Sequence, residues 1–350
     1  YFYSALYTDV ASLEASVIVE QSNAIRMEFK IVAKKISKRR FYKLMNEMVA
    51  INNNEQALNS QANNMVELMG LLNGKLVRGD HIVIDNSNDE TRITINGVDA
   101  LVINDKAFVK LLLNGWLGRL PPTPDFKKDL LSGENSPHLA GFLTLEFSPE
   151  RLAVINAWET PLKKAVTEQR SNEQEEGKAL ALVELEKTKL IEKQKKQEKS
   201  LTSDQELIAL KRESERKLKL IEEKNKKQRE ARLAKIKRDN EARKKVLKER
   251  QLAESTYYRR LIVQANKSIT FPERFSERGI EGQVKVRVSI DKQGKVKGIE
   301  VVQSSNHKML DKFALNSTKR AAPFPPIPKQ LSLNKGLFDF TIPYRFVINP

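Results

Sequence analysis

The sequence predicts an α+β chain, with an N-terminal antiparallel sheet carrying helices, a long charged helical spacer, and a C-terminal β-hairpin, helix and strand. Three observations predict it. Strict apolar/polar alternation appears near both ends of the chain. No glycine or proline occurs from Lys178 to Phe271, and charge is divided unevenly along the sequence. Residues 1–147 carry a net charge of −1, residues 148–255 carry +8, and residues 256–350 carry +10, out of +17 in all. A chain of 350 residues exceeds what one core usually organises. The expected division is therefore 1–147, a spacer at 148–256, and 257–350.

In the first part, Ile25, Met27, Phe29 and Ile31 alternate with Arg26, Glu28 and Lys30, which is strand periodicity with one apolar face. Ser37 is placed to cap a helix running to about Ile51, and a second helix is expected from about Ser60 to Leu72, stopped by Asn73-Gly74. His81 to Asp85 and Thr91 to Ile95 read as strands, with Asn96-Gly97 turning the chain into a third, Ala100 to Ile103. Asp105 or Lys106 opens a helix ending near Trp116-Leu117-Gly118. His81, His138 and His307 lie far apart and lack metal-ligand spacing, so no metal or cofactor is expected.

The middle part begins at Ser148-Pro149-Glu150, a hydroxyl cap followed by proline at the first helical position. Ser203 to Glu206 has capping-box spacing, so a break near 200 and a second helix from about 204 to 254 are expected. Between Glu186 and Gln251 there are 24 Lys/Arg and 13 Asp/Glu. Leu220, Ala231, Ala242 and Ala253 recur at steps of eleven, a thin stripe suited to a single helix or a weak coiled coil. Interleaved glutamates and the lack of an aromatic stacking platform argue against nucleic acid as a partner.

In the last part, Val284, Val286, Val288 and Ile290 put four apolar side chains on one strand face, leaving Gln283, Lys285, Arg287 and Ser289 for a wet one. Asp291 to Gly294 is turn chemistry, and Val296 to Gln303 returns as the second strand. Ser305 is placed to cap a helix carrying Leu310, Phe313, Ala314 and Ser317 on one face. Phe338 to Ile348 alternates over a long final strand. Pro343 lacks a donor, so that strand is expected at a sheet edge with Pro343 on the unpaired side or at a bulge.

Zero cysteines exclude disulfides and thiol chemistry. No run of about 18 apolar residues occurs. The chain opens at Tyr1, without methionine and inside an apparent strand, so a further segment upstream of Tyr1 is expected, and the residues given leave open whether it is a signal peptide, a membrane anchor or neither.

The words Phe271-Pro272, Glu281-Gly282-Gln283-Val284, Asp291 to Val296 and Gln303-Ser304-Ser305, in the order helix, strand, strand, helix, strand, resemble the TonB C-terminal family over about 257–350. With the charged rod in front, the arrangement is also similar to TolA-type architecture. The resemblance implies a periplasmic location in a Gram-negative bacterium, with an outer-membrane transporter or other envelope protein as partner. It implies Phe271 and Pro272 as the aromatic-proline pair ahead of the sheet. A partner peptide would then add to the final strand, with Thr341, Pro343, Arg345 and Val347 along the binding edge. Self-pairing of that edge would give a homodimer.

Ala5-Leu6-Tyr7, Gly79 to Ile82, Ile95-Asn96-Gly97 and Trp116 to Pro121 resemble chalcone isomerase-like proteins over about 1–132. That resemblance implies an apolar cleft for a small molecule or fatty acid. Tyr42 and Arg26 are the ligand-binding candidates. The implied catalytic set is incomplete, since Phe2 stands near a threonine position and Val49 replaces an asparagine seven residues after Tyr42, so no catalytic residue is assigned. The competing reading is an intramolecular-lyase-type isomerase or lipid binder localised by the TonB-like part.

Overall fold

The computed structural model describes residues 1–87, 89–167, 204–267, 277–331 and 336–347, with isolated residues elsewhere. Phe271 and Pro272, the break near residue 200 and the cap at Ser203 lie outside the described residues. No helix among the described residues is long and apolar enough to cross a membrane.

The N-terminal head runs β1 (Phe2–Thr8), α1 (Ala15–Gln21), β2 (Ile25–Ile31), β3 (Lys35–Ile36), α2 (Lys38–Asn52), α3 (Glu55–Ser60), α4 (Ala62–Gly70) and β4 (Leu76–Val77). It continues with β5 (His81–Ser87), β6 (Glu90–Ile95), β7 (Val98–Ile103), α5 (Lys106–Leu117), α6 (Pro124–Leu131), α7 (Leu139–Thr144) and α8 (Pro149–Asn156). Five strands form an antiparallel sheet in the order β1-β2-β5-β6-β7. The alternation in β2 places Ile25, Met27, Phe29 and Ile31 in the core, where Phe29 meets Trp116 of α5 edge to face at 4.2 Å. Ser37 Oγ accepts from Arg40 N and Asp105 caps α5 through Ala107 N, so both helices begin where their caps predict.

The single helix expected from Ser60 to Leu72 is two helices that start earlier. Asn54 accepts from Ala57 N at 2.8 Å and opens α3, and Gln61 interrupts the run before α4. Helix α8 belongs to the head's packing. Its Ile155 and the following Trp158 sit in the core, and Arg151 grips the fully buried Asp80 at 2.8 Å.

Tyr1–Leu162 and Leu247–Pro350 form one compact unit, and Lys163–Val246 is a second. The helix Asp204–Lys267 runs well past the expected end near 254. The reason is compositional. After the charged stretch come Tyr257, Tyr258, Leu261, Ile262 and Ala265, a buried stripe at helical spacing. The tail then forms β8 (Gly282–Ile290), β9 (Val296–Gln303), the helix Lys308–Arg320 and β10 (Phe338–Phe346). Its sheet order is β10-β8-β9, so the last strand is an edge. Val284, Val286, Val288, Phe340, Ile342 and Tyr344 are fully buried beneath the two helices.

The tail helix starts at Lys308 rather than after Ser305, because Ser304 and Ser305 both donate to Asp311 and hold the preceding turn open. The opposite face of the tail sheet is not simply wet either. Gln283 is 3% exposed, and Lys285 donates to Pro122 O of the head.

Candidate functional site

Head and tail meet along one face of α2. Phe41, Met45, Met48 and Val49 point into the head core, while Ala50 joins the tail's core cluster with Tyr258, Leu261 and Ile262. The small side chain lets the two helices approach closely. One turn earlier, Asn46 Oδ1 accepts from Gln251 Nε2 at 2.7 Å and from Ser255 Oγ at 2.8 Å, with all three side chains buried. Farther along, Arg259 donates to Asn53 O at 3.0 Å.

The same face of α2 reaches the edge of β10. In an antiparallel ladder, alternate residues turn both backbone groups to the same side. Residues of β10 pair with β8 from Phe338↔Ile290 to Phe346↔Gly282 without a register shift. Asp339 O accepts Lys43 Nζ at 2.7 Å, and Thr341 O accepts Tyr258 Oη at 2.6 Å. The Thr341 N–H lies near enough to the Glu47 carboxyl to favour its charged form slightly. Residues 339 and 341 thus turn their backbone away from β8, and by the same parity so do Pro343 and Arg345. Pro343 sits where its missing donor costs no ladder bond, on the unpaired side.

The outer edge is therefore divided. Its first half is closed by Lys43, Glu47 and Tyr258. In its second half, Pro343 O and the N–H and C=O of Arg345 have no hydrogen-bond partner among the described residues, while the Arg345 guanidinium donates to Arg119 O at 3.3 Å.

Electrostatics mark the closed half. Burial pushes the Glu47 carboxyl up to about 7, Glu254 adds to the rise, and Lys43 and Lys285 oppose it. Glu47 Oε1 is buried without a hydrogen bond, 3.8 Å from Lys43 Nζ. Burial also lowers the Lys285 ammonium, which faces Glu47. Tyr258 is raised well above the ordinary phenol range, by burial and then by the charge of Glu47.

The predicted edge residues fall on both halves. Thr341 lies in the closed half, Pro343 is buried beside the open half, and Arg345 and Val347 are exposed. The head candidates do not come together. Tyr42 packs against the core and its hydroxyl accepts Leu72 N–H at 2.7 Å. Arg26 lies on the other face of the sheet, paired with Glu28 at 2.6 Å and Asp85 at 3.0 Å. Lys43, Glu47 and Tyr258 went unread in the sequence, because a Lys–Glu pair four apart looks like a solvated helix pair. The signal available was the abrupt Tyr257-Tyr258 pair after a long charged run.

Residues 267–348 match the model of the Gram-negative bacterial TonB protein C-terminal family, and residues 1–132 match the chalcone isomerase-like model. No curated protein matches the chain. Among solved structures, a Helicobacter pylori TonB C-terminal domain (residues 179–285) is 26% identical, covering 27% of this chain and 84% of that one at a TM-score of 0.24. A shorter form of it (residues 194–285) is also 26% identical, covering 27% and 96% at 0.23. The HasB C-terminal domain is 29% identical, covering 25% and 66% at 0.20. The chain therefore joins a chalcone isomerase-like segment at its N-terminus to a TonB C-terminal-type segment at its end.

Proposed function

We propose that this chain is a protein-contact module of the Gram-negative envelope, working in the periplasm, whose tail binds an outer-membrane transporter or other envelope protein by strand addition to β10. The observation that carries this reading is the open half of the edge, where Pro343 O and both backbone groups of Arg345 have no hydrogen-bond partner among the described residues, on a strand that ends its sheet. An added strand satisfies such groups with main-chain hydrogen bonds, and its alternate side chains supply selectivity. Arg345 and Val347, exposed beside that half, are the selecting side chains. Phe271-Pro272, outside the described residues, stays in the proposal on the strength of the family resemblance alone.

The head serves in this reading as a scaffold that holds the tail, and not as a catalyst. Supporting this, the Tyr42 hydroxyl is engaged by the backbone and Arg26 is engaged by two carboxylates on the opposite sheet face. The test is capture of peptides from outer-membrane proteins by the full chain and by Arg345→Pro and Thr341→Pro. Arg345→Pro removes an outward donor without touching the ladder and should abolish capture. Thr341→Pro alters the closed half instead and should leave capture within about five-fold of the parent, a change of about 1 kcal/mol at most. Capture unchanged by Arg345→Pro in a folded protein would put the partner surface elsewhere.

A further inference from the structure

The open half of β10 does not face bulk solvent alone. It forms one wall of a groove of about 820 Å³ whose other walls are the last turns of the long helix and the head loop at Arg119-Leu120. Four cations stand around it: Arg119 from the head, Arg259 and Lys267 from the helix, and Arg345 from the strand. No carboxylate lines it among the described residues. Its floor is apolar, with Ile51 and Leu120 of the head, Ile262 of the helix, and Pro343 of β10.

Like charge is already crowded at this point. Lys127 of α6 lies close enough to Arg345 that burial, and then the guanidinium, hold its ammonium below the usual lysine range. Cations concentrated in a partly enclosed groove create a positive potential that an anionic partner relieves.

Resting on the strand-addition reading above, we infer that the peptide site is a composite of head and tail, and that it selects an extended peptide in which acidic residues alternate with apolar ones. The alternation follows from the geometry of an added strand. Successive side chains point to opposite faces. One set continues the row of Arg345 and meets Arg119. The other continues the row of Tyr344, which shares its core with Ile262 of the helix, and finds an apolar surface there. A fatty-acid anion would use the same cations and the same floor. It would leave Pro343 O and the Arg345 backbone unpaired, and for that reason the groove fits a peptide better.

The experiment uses the full chain and fluorescence anisotropy with end-blocked, labelled hexapeptides of alternating glutamate and valine, against the lysine–valine counterpart. Two further probes are the acidic hexapeptide N-methylated at its odd-numbered or at its even-numbered amides, one for each register, and laurate serves as competitor. The acidic peptide should bind at least about ten-fold tighter than the basic one, a difference of about 1.4 kcal/mol. Arg119→Glu, a change at an exposed head side chain, should weaken it by about ten-fold while leaving the melting temperature unchanged. N-methylation should weaken it in at least one of the two registers, and laurate should displace it poorly.

Equal binding of the acidic and basic peptides overturns the inference, as does no binding of either. So does an Arg119→Glu variant with parental affinity. If that variant is silent while Arg345→Pro abolishes binding, strand addition stands and the head's part in the site is wrong. If laurate displaces the peptide fully and both N-methylated registers bind like the parent, the groove is an anionic-lipid site and not a peptide site.

Discussion

Glu47 is the residue whose environment is farthest from its sequence appearance. Four residues after Lys43 on a helix, it reads as half of a solvated pair worth a few tenths of a kcal/mol. In the folded chain its side chain is 17% exposed and faces Lys43, Lys285, Glu254 and Tyr258, beside the Thr341 N–H. Its carboxyl is raised to about 7 from an ordinary value of 4.5, so between those values the folded chain keeps a proton that the unfolded chain releases. The sign is therefore that stability is highest below pH 4.5, as far as this group is concerned, and falls as pH rises to about 7. Its size is about 2 kcal/mol after allowing for residual solvent. Glu47→Gln, which keeps the acceptor for Thr341, should flatten the dependence of urea-unfolding free energy on pH between 5 and 7. A parental slope in that variant would assign the dependence to another group. Arg151 is a second residue that charge counting misplaces, since it reads as the first basic residue of the spacer and instead neutralises a fully buried Asp80 in the head.

At the scale of elements, periodicity and caps were legible wherever one local force dominates. Alternation found β2, β8 and β10, and Ser37 and Asp105 marked the starts of α2 and α5 because a side-chain oxygen there meets an otherwise orphaned N–H. What was not legible was the second buried face of α2. Lys43, Asn46, Glu47 and Ala50 show no apolar stripe, and only contact with the long helix and β10 buries them. The continuation of the long helix to Lys267 was missed for the opposite reason, since its apolar stripe was read as the start of a new domain. The turn after β8 was legible in full. Asp291 Oδ1 receives Gln293 N–H and Lys295 N–H, and Gly294 adopts a φ of +82°. A methyl group at Gly294 would collide with Phe324 O, whose own N–H donates to Gly294 O at 3.0 Å. Gly294→Ala should therefore destabilise the unit by at least about 2 kcal/mol, combining left-handed strain with displacement of the Phe324 loop. Thermal unfolding with parental midpoint would show that the loop yields at no cost.

At the scale of the whole molecule, head and tail share one interface, and the outer edge of β10 is bounded by both. The two family resemblances were legible because short words such as Asp291 to Val296 and Trp116 to Pro121 carry turn and packing constraints. Which half of β10 stays open was not, because Lys43 and Arg119 are remote from the strand in sequence and approach it only through the packing of α2 and of the loop after α5. The central claim is that a partner pairs with the second half of β10 while the head holds the first. The most direct measurement is residue-resolved amide hydrogen exchange on the full chain, with and without a saturating transporter-derived peptide. Thr341 N–H, covered by Glu47 and Tyr258 in the closed half, should exchange slowly in both states, whereas Arg345 N–H should slow on peptide addition by about ten-fold or more. An Arg345 N–H that exchanges equally fast in the bound and free states, with peptide binding verified in the same sample, would contradict the account.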